Sequence, residues 1–316
     1  YTNGTASILL ESQSTNLITY SNDFSQSVWN KQNSSITSNY AISPDGSNNA
    51  TRFLTTSNAA SFLQVLSLAI SNSTSYTISV YAKSNNNNLD DFRFYTSTAG
   101  TSSEFTATSY WKRFEFTITS TGTTSNIGLR GVSGKETDIQ IFGFQVEEQS
   151  FSTSLIHTSG SATTRAAETL TNAGNSDLIN SEEGVLYAEI SALANDGTFR
   201  MLSISDGTNN NRVRINFTST SEQIQARLVI GGVTQADLSQ TSANVTSFNK
   251  IAISYKENDV KLYINGILIA SDTSASVPTT GTFTTLQFDG GGATSFFYGK
   301  CKTVAVFKEA LSDTEL

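Results

Sequence analysis

Period-two alternation in short runs constrains this chain more than any other feature. Tyr76 to Lys83 (YTISVYAK), Phe92 to Tyr95 (FRFY) and Trp111 to Thr119 (WKRFEFTIT) put apolar and polar residues on opposite sides. That is the pattern of a β-strand with one buried face. Tyr76, Ile78, Val80, Phe92, Phe94, Phe114, Phe116 and Ile118 make up the core-facing set. Ser, Asn and Gly clusters separate the runs, and no long window carries the i, i+3, i+4, i+7 apolar repeat of a helix. The expected fold is all-β.

One stretch divides the chain. From Ile139 the sequence alternates, with Phe142, Phe144 and Val146 expected on one side and Ile141, Gly143, Gln145 and Glu147 on the other. It then becomes a Ser/Thr/Gly/Ala-rich strap that ends in Thr163-Thr164-Arg165. This reads as the closing strand of one β-sandwich followed by a tether to a second. Alternation resumes at Val185 and recurs in nine short runs, ending with Lys302 to Phe307. Val260 to Ile264 and Ile267 to Ala270 flank Asn265-Gly266, which suits a two-residue type I′ hairpin turn. The expected division is a first sandwich over 1–168, a linker over 169–183 and a second sandwich over 184–316. Near the start, Phe24 and Trp29 are expected to be buried at a sandwich edge.

Charge and composition exclude several function classes. A net charge of -8 argues against nucleic acid as a partner, because phosphate contacts need clustered Lys and Arg. No apolar run approaches the roughly 18 residues of a membrane helix, so membrane insertion is not expected. The chain opens at Tyr1 without a charged-then-apolar leader and is expected to be processed or partial. Cys301 stands alone and forms no internal disulfide, so core packing and sheet hydrogen bonds must hold the fold.

The outward-facing residues of the first-half strands mix aromatics with forked hydrogen-bonding groups. Tyr81, Arg93, Tyr95, Trp111, Arg113 and Gln145 are the candidate ligand-binding set. Aromatic rings stack on the apolar C–H face of a sugar while Arg and Gln address its hydroxyls, so the combination points to glycan binding. The same residues also suit an ordinary solvated strand face, or packing under a loop.

The segments ESQSTNLITYSNDFSQSVWNK, PDGSNNATRF, SYTISVYAKS, YWKRFEFTIT and FGFQVEEQSFSTSLIHTSGSATTRAAETL resemble, in order, the carbohydrate-binding-module-like jelly-roll domain of phage tail and other virion structural proteins. The resemblance covers residues 6 to 168. Its most specific part is Gln145-Val-Glu147, then Ser150 to Ser154 and Thr164-Arg165; His157 stands where the family commonly has Pro. The resemblance implies a jelly roll that often carries structural calcium, for which Asp23 and Glu147 are the nearest carboxylates, with structural roles as the alternative. The segments NKIAISYKENDVKLYINGILIASD and FFYGKCKTVAVFKEALSDTEL resemble the concanavalin-A-like, laminin-G-type lectin/glucanase fold. Members that bind calcium use a loop aspartate. Asp206 in SDGTNNNR is the equivalent candidate, with a turn-stabilising role as its alternative. The fold class expected overall is two tandem β-sandwiches, jelly roll then concanavalin-A/laminin-G-like.

The sequence holds no recognisable catalytic constellation. His157 and Cys301 are the only His and Cys, Gly290-Gly291-Gly292 lacks a following Lys-Ser/Thr, and residues 169 to 316 hold no E-x-D-x-x-E pattern. The expectation is a non-enzymatic virion protein, a bacteriophage tail, fibre or decoration component, at the virion surface or otherwise extracellular. It would bind host cell-surface polysaccharide, contact other virion proteins and form a homo-oligomer, in fibres commonly a trimer. The alternatives are a purely architectural virion protein, and the accessory carbohydrate-binding portion of a secreted polysaccharide-degrading enzyme.

Overall fold

The computed structural model describes residues 6–56, 60–86, 89–170 and 173–316. Strands dominate, and the only helical element among the described residues is the 3-10 turn Ser176–Leu178. The strands form two compact units. The fold is all-β, two β-sandwiches, as the alternation requires.

The first sandwich is Gln13–Ala166. One of its sheets runs, in spatial order, Lys112–Thr119, Ser75–Ser84, Asp138–Glu147, Ala50–Thr55, Ser34–Ala41. The facing sheet runs Phe105–Ala107, Asp90–Thr96, Thr124–Gly131, Phe62–Ala69, Trp29–Gln32. All pairings are antiparallel. Between the sheets lie Tyr76, Ile78, Val80, Phe92, Phe94, Phe114 and Ile118, with Phe116 partly buried against them. Phe24 and Trp29 are buried too, their rings 4.9 Å apart, and the Trp29 ring meets Phe144 at 5.2 Å. Aromatic pairs at these separations add to the area they remove from water.

The organising strand departs from simple alternation. Its register against Ser75–Ser84 shifts between Phe142 and Gln145, and Gly143 sits at φ +66. An extra residue in a bulge exchanges the faces on either side of it. Ile141, expected outside, therefore lies in the core with Phe144 and Val146. Phe142, expected inside, turns out toward Tyr81, with ring centroids 6.3 Å apart. A side chain at Gly143 would meet Leu155 Cδ2 at 2.6 Å, because the strap packs there.

The second unit is Ala167–Leu316 together with the described residues 6–12. Its sheets run Ile8–Leu10, Gly299–Phe307, Gly184–Ala192, Asn249–Lys256, Asp259–Ile264, Ile267–Asp272 and, facing them, Gly174–Asn175, Thr285–Gln287, Arg200–Ser205, Arg212–Phe217, Ile224–Ile230, Val233–Gln240. Two assignments differ from the expected boundaries. Ile8–Leu10, placed by sequence in the first sandwich, pairs with Cys301 to Gly299 of the second, and Leu10 enters that core. The expected linker 169–183 contributes the strand Gly174–Asn175 and the buried Ile179 to the second sandwich; residues 171 and 172 lie outside the described residues. Where the chain leaves and re-enters this unit, Glu11 and Glu168 clasp: Glu11 N donates to Glu168 Oε2, and Glu168 N to Glu11 O, both at 2.9 Å. The nine expected runs all form strands, and Val233–Gln240 adds another. Asn265 and Gly266 both take positive φ, as a type I′ turn demands.

One ion pair ties the first sandwich to pH. Arg52 grips Asp138 with two bonds of 2.8 Å, and Asn85 and Asn86 add bonds of 3.1 and 3.0 Å. Burial pushes the Asp138 pKa up, but these hydrogen bonds outweigh it and hold the carboxyl below its ordinary 3.8. A depressed folded-state pKa contributes stability that is present above the unfolded value and is lost as pH falls through the folded value. Asp138→Asn is therefore expected to melt lower than the native chain at pH 7. The gap should narrow in acid below 3.8. Melting curves across pH check this, and a gap independent of pH would remove Asp138 from the acid response.

Candidate functional site

The six candidate residues do not share one surface. Tyr81, Trp111, Arg113 and Gln145 belong to the first sandwich's Ser75–Ser84 sheet or its border, whereas Arg93 and Tyr95 lie on Asp90–Thr96 of the facing sheet. Each sheet buries its inner face, so the outward sets look in opposite directions. Ser75–Ser84 and Asp90–Thr96 are consecutive long strands, yet the chain crosses between sheets to join them. Alternation alone does not report that crossing.

On the Ser75–Ser84 sheet the strap from Gln149 onward covers much of the outer face. Gln145 is fully buried; its Oε1 accepts from Ile156 N at 2.7 Å and its Nε2 donates to Thr153 O at 3.4 Å. Arg113 donates to Thr153 O at 2.5 Å and to Ser79 Oγ at 2.9 Å, and its guanidinium lies 5.5 Å from the Tyr81 ring centroid. Trp111 Nε1 donates to Ile42 O at 3.2 Å, with Lys83 5.3 Å from its ring. Gln145 and Arg113 thus hold the strap in place. Gln145 is buried under the strap and the Arg113 guanidinium is spent on Thr153 O and Ser79 Oγ, which corrects the expectation that these two contact a ligand.

The three calcium candidates are also engaged elsewhere. Glu147 is fully buried, and its carboxyl oxygens accept from Ser14 Oγ at 2.6 Å, Thr153 N at 3.0 Å and Thr153 Oγ1. Asp23 accepts from Ser25 N and Oγ and from Gln26 Nε2. The bonds from Ser25, then Gln26, hold its pKa below the usual carboxylate range. Asp206 accepts from Thr208 N and Oγ1 and Asn211 Nδ2, an Asx turn. Burial raises its pKa, and those bonds outweigh the rise. No three His, Cys, Asp or Glu side chains converge among the described residues. Calcium needs six to eight oxygen ligands around one point, and these residues as placed do not fit it. His157 likewise serves structure: Nδ1 meets Asn22 Nδ2 at 2.7 Å and the ring packs edge-on against Phe142.

The outer face of the Asp90–Thr96 sheet has the makings of a binding surface. Tyr95 and Phe62 bring their rings within 4.8 Å. Arg93 and Arg130 face each other across the neighbouring strands, and Arg130 lies 5.3 Å from the Phe62 centroid while donating to Thr101 Oγ1 at 3.2 Å. Arg93 pairs with Glu104 at 2.6 Å. Gln64 is 5% exposed and its Oε1 has no hydrogen-bond partner among the described residues. Gly128 lies opposite both Gln64 and Tyr95, where the paired strand comes too close to admit a side chain. A buried acceptor without a partner carries a free-energy cost that a ligand hydroxyl relieves.

Phe62, Gln64, Gly128 and Arg130 were not among the sequence candidates. Phe62 to Ala69 reads FLQVLSLA, where apolar residues fall on both faces and obscure the alternation. In Thr124–Gly131 the signal was present: Ile127 and Leu129 alternate with Gly128 and Arg130.

Residues 174–316, most of the second sandwich, match a family model described as the concanavalin A-like lectin/glucanases superfamily. No curated protein matches the chain. Among solved structures, the chain is similar to the N-terminal CBM22-1–CBM22-2 tandem domain of Paenibacillus barcinonensis Xyn10C, at 10% identity and a TM-score of 0.34 over 98% of this chain and 100% of that one. The CBM22-1 xylan-binding domain of the same protein aligns at 14% identity and a TM-score of 0.33, over 45% of this chain and 96% of its own. Domains LG4-5 of the mouse laminin alpha1 chain align at 8% identity and a TM-score of 0.33, over 79% of this chain and 86% of theirs.

Proposed function

We propose that the chain is a non-enzymatic carbohydrate-binding protein that engages polysaccharide through the outer face of the Asp90–Thr96 sheet. The observation that carries this reading is the Tyr95–Phe62 ring pair beside Arg93 and Arg130, next to the unpartnered Gln64 amide oxygen. Rings supply the stacking surface, and the guanidinium and amide groups address hydroxyls. The placement on a virion rests on the resemblance of the Gln145–Glu147 strand and its strap to the closing element of phage tail domains. On that reading the protein works outside the host cell as a tail, fibre or decoration component, alongside other virion proteins. A homo-oligomer such as a trimer multiplies weak single-site affinity.

Binding of the purified chain to a panel of polysaccharides tests the proposal. Tyr95→Ala is expected to weaken binding about tenfold, consistent with roughly 1–1.5 kcal/mol for a lost aromatic contact, with little change in melting temperature. Trp111→Ala is expected to leave binding unchanged, and so is EGTA. Full binding by Tyr95→Ala would move the site elsewhere. No binding to any glycan would sink the reading in favour of an architectural role.

A further inference from the structure

The second sandwich holds a cationic cavity that the reading above does not use. Leu202, Ile204, Val213, Ile215, Ile224 and Ala226 point into the core. Their neighbours Met201, Arg214, Gln225 and Arg227 therefore face out from the same strands. With Phe199 and Gln223 they line a cavity of about 450 Å³, within the range of small-ligand sites.

Arg214 is the unusual member. It is 4% exposed, yet among the described residues its guanidinium meets only the Met201 sulfur at 3.0 Å and Gln225 Oε1 at 3.4 Å, and its Nε has no partner. The nearby arginines are provided for. Arg227 pairs with Asp237 at 2.5 Å, and Arg212 donates to Asn209 Oδ1 at 2.6 Å and to Gly290 O. Arg214 and Arg227 are moreover direct cross-strand partners, and the Asp237 carboxylate that pairs with Arg227 relieves their repulsion only in part. Burial, and then the charges of Arg212 and Arg227, push the Arg214 pKa down to about 10, so it remains a cation at neutral pH. Asp237 acts on Arg214 only through space, and among the described residues the hydrogen bonds of the Arg214 guanidinium go to uncharged groups; burying such a cation is costly, and an anion in the cavity offsets that cost.

The geometry points to a second glycan site in this cavity, specific for an acidic sugar whose uronate carboxylate is the counter-ion of Arg214. Planar guanidinium matches planar carboxylate. The Phe199 ring, 40% exposed at the cavity wall, offers the sugar a stacking face. Gln223 and Gln225 bring amide groups for hydroxyls. The inference rests on the reading of the chain as a glycan binder and adds a charge class to what it binds.

Calorimetry on the full chain tests it, with trigalacturonate and its carboxyl-reduced, neutral counterpart as probes. The native chain is expected to bind the uronate at least tenfold tighter. Arg214→Gln should abolish that preference while keeping the melting temperature at or above the native value, since an unpaired buried charge has gone. Phe199→Ala, at a partly exposed position, should weaken uronate binding several-fold and serves if Arg214→Gln fails to fold. Equal affinity for the two probes, or a preference that survives both substitutions, overturns the site. Neutral binding through Tyr95 without uronate preference would overturn this inference alone. Uronate binding that depends on Arg214, with no neutral binding through Tyr95, would instead overturn the first face and keep this one.

Discussion

Glu147→Ala is expected to lower the melting temperature of the first sandwich by about 10 °C. Glu147 is fully buried, and three donors converge on it: the Ser14 hydroxyl and the Thr153 hydroxyl and N–H. Truncation leaves those donors in the interior without an acceptor. Each such group costs about 1–3 kcal/mol, and losing one partner of a buried polar cluster about 3–5 kcal/mol in all. For a domain of this size 1 kcal/mol moves the midpoint by about 2–4 °C. The effect should concentrate on the strap, because Thr153 is its anchor and Gln145 and Arg113 bind the same carbonyl. Hydrogen exchange should then show residues 150 to 158 opening before the sheets do. A midpoint within about 2 °C of the native value would mean that Glu147 does not hold the strap. Glu147→Gln, which keeps one carbonyl acceptor, should recover part of the loss.

Gly128→Ala is expected to cost about 3 kcal/mol or more, or to leave the chain insoluble. A methyl group there would lie 2.1 Å from Leu63 O and 2.5 Å from Gln64 Cα. Both are backbone atoms of the paired strand, so no rotamer change relieves the overlap; the strands must separate. The pairing also shifts register just before, between Ser125 and Ile127. By contrast, Gly143 would meet only the end of the Leu155 side chain, although its φ of +66 adds strain. Because Gly128 lies between Tyr95 and Gln64, a folded Gly128→Ala chain should also lose glycan binding. Thermal unfolding and binding measured on the same sample check both parts. A soluble variant with native melting and native affinity would refute the close approach and the site together.

Much of the fold was legible because burial on one face of a strand writes itself as alternation. Tyr76, Ile78 and Val80, or the Asn265-Gly266 hairpin, could be read directly. Phe142 and Ile141 were misassigned because a bulge exchanges faces at the cost of one residue, and a Gly within an alternating run only hints at it. The candidate site was half legible. Arg93 and Tyr95 were found by residue type, but their partners Phe62, Gln64 and Arg130 come from strands distant in sequence. Arg214 shows the same limit from the other side. An arginine in RVRINF looks like any outward strand residue, and only the neighbouring strands, through Met201 and Gln225, make it a buried cation.

The sequence by itself determined the class of the protein. All-β structure, two sandwiches, the aromatic core of the first and the hairpin of the second follow from local periodicity and turn chemistry, which neighbouring residues encode. Tertiary structure decided which sheet each strand joins, and with it which outward residues share a surface. It took Ile8–Leu10 into the second sandwich, laid the strap over Gln145 and Glu147, and split Tyr81 from Tyr95. Those outcomes depend on pairings set by the packing of the whole core, such as Ile8 with Cys301, Tyr81 with Arg113 and Tyr95 with Gly128, and local pattern carries no record of them.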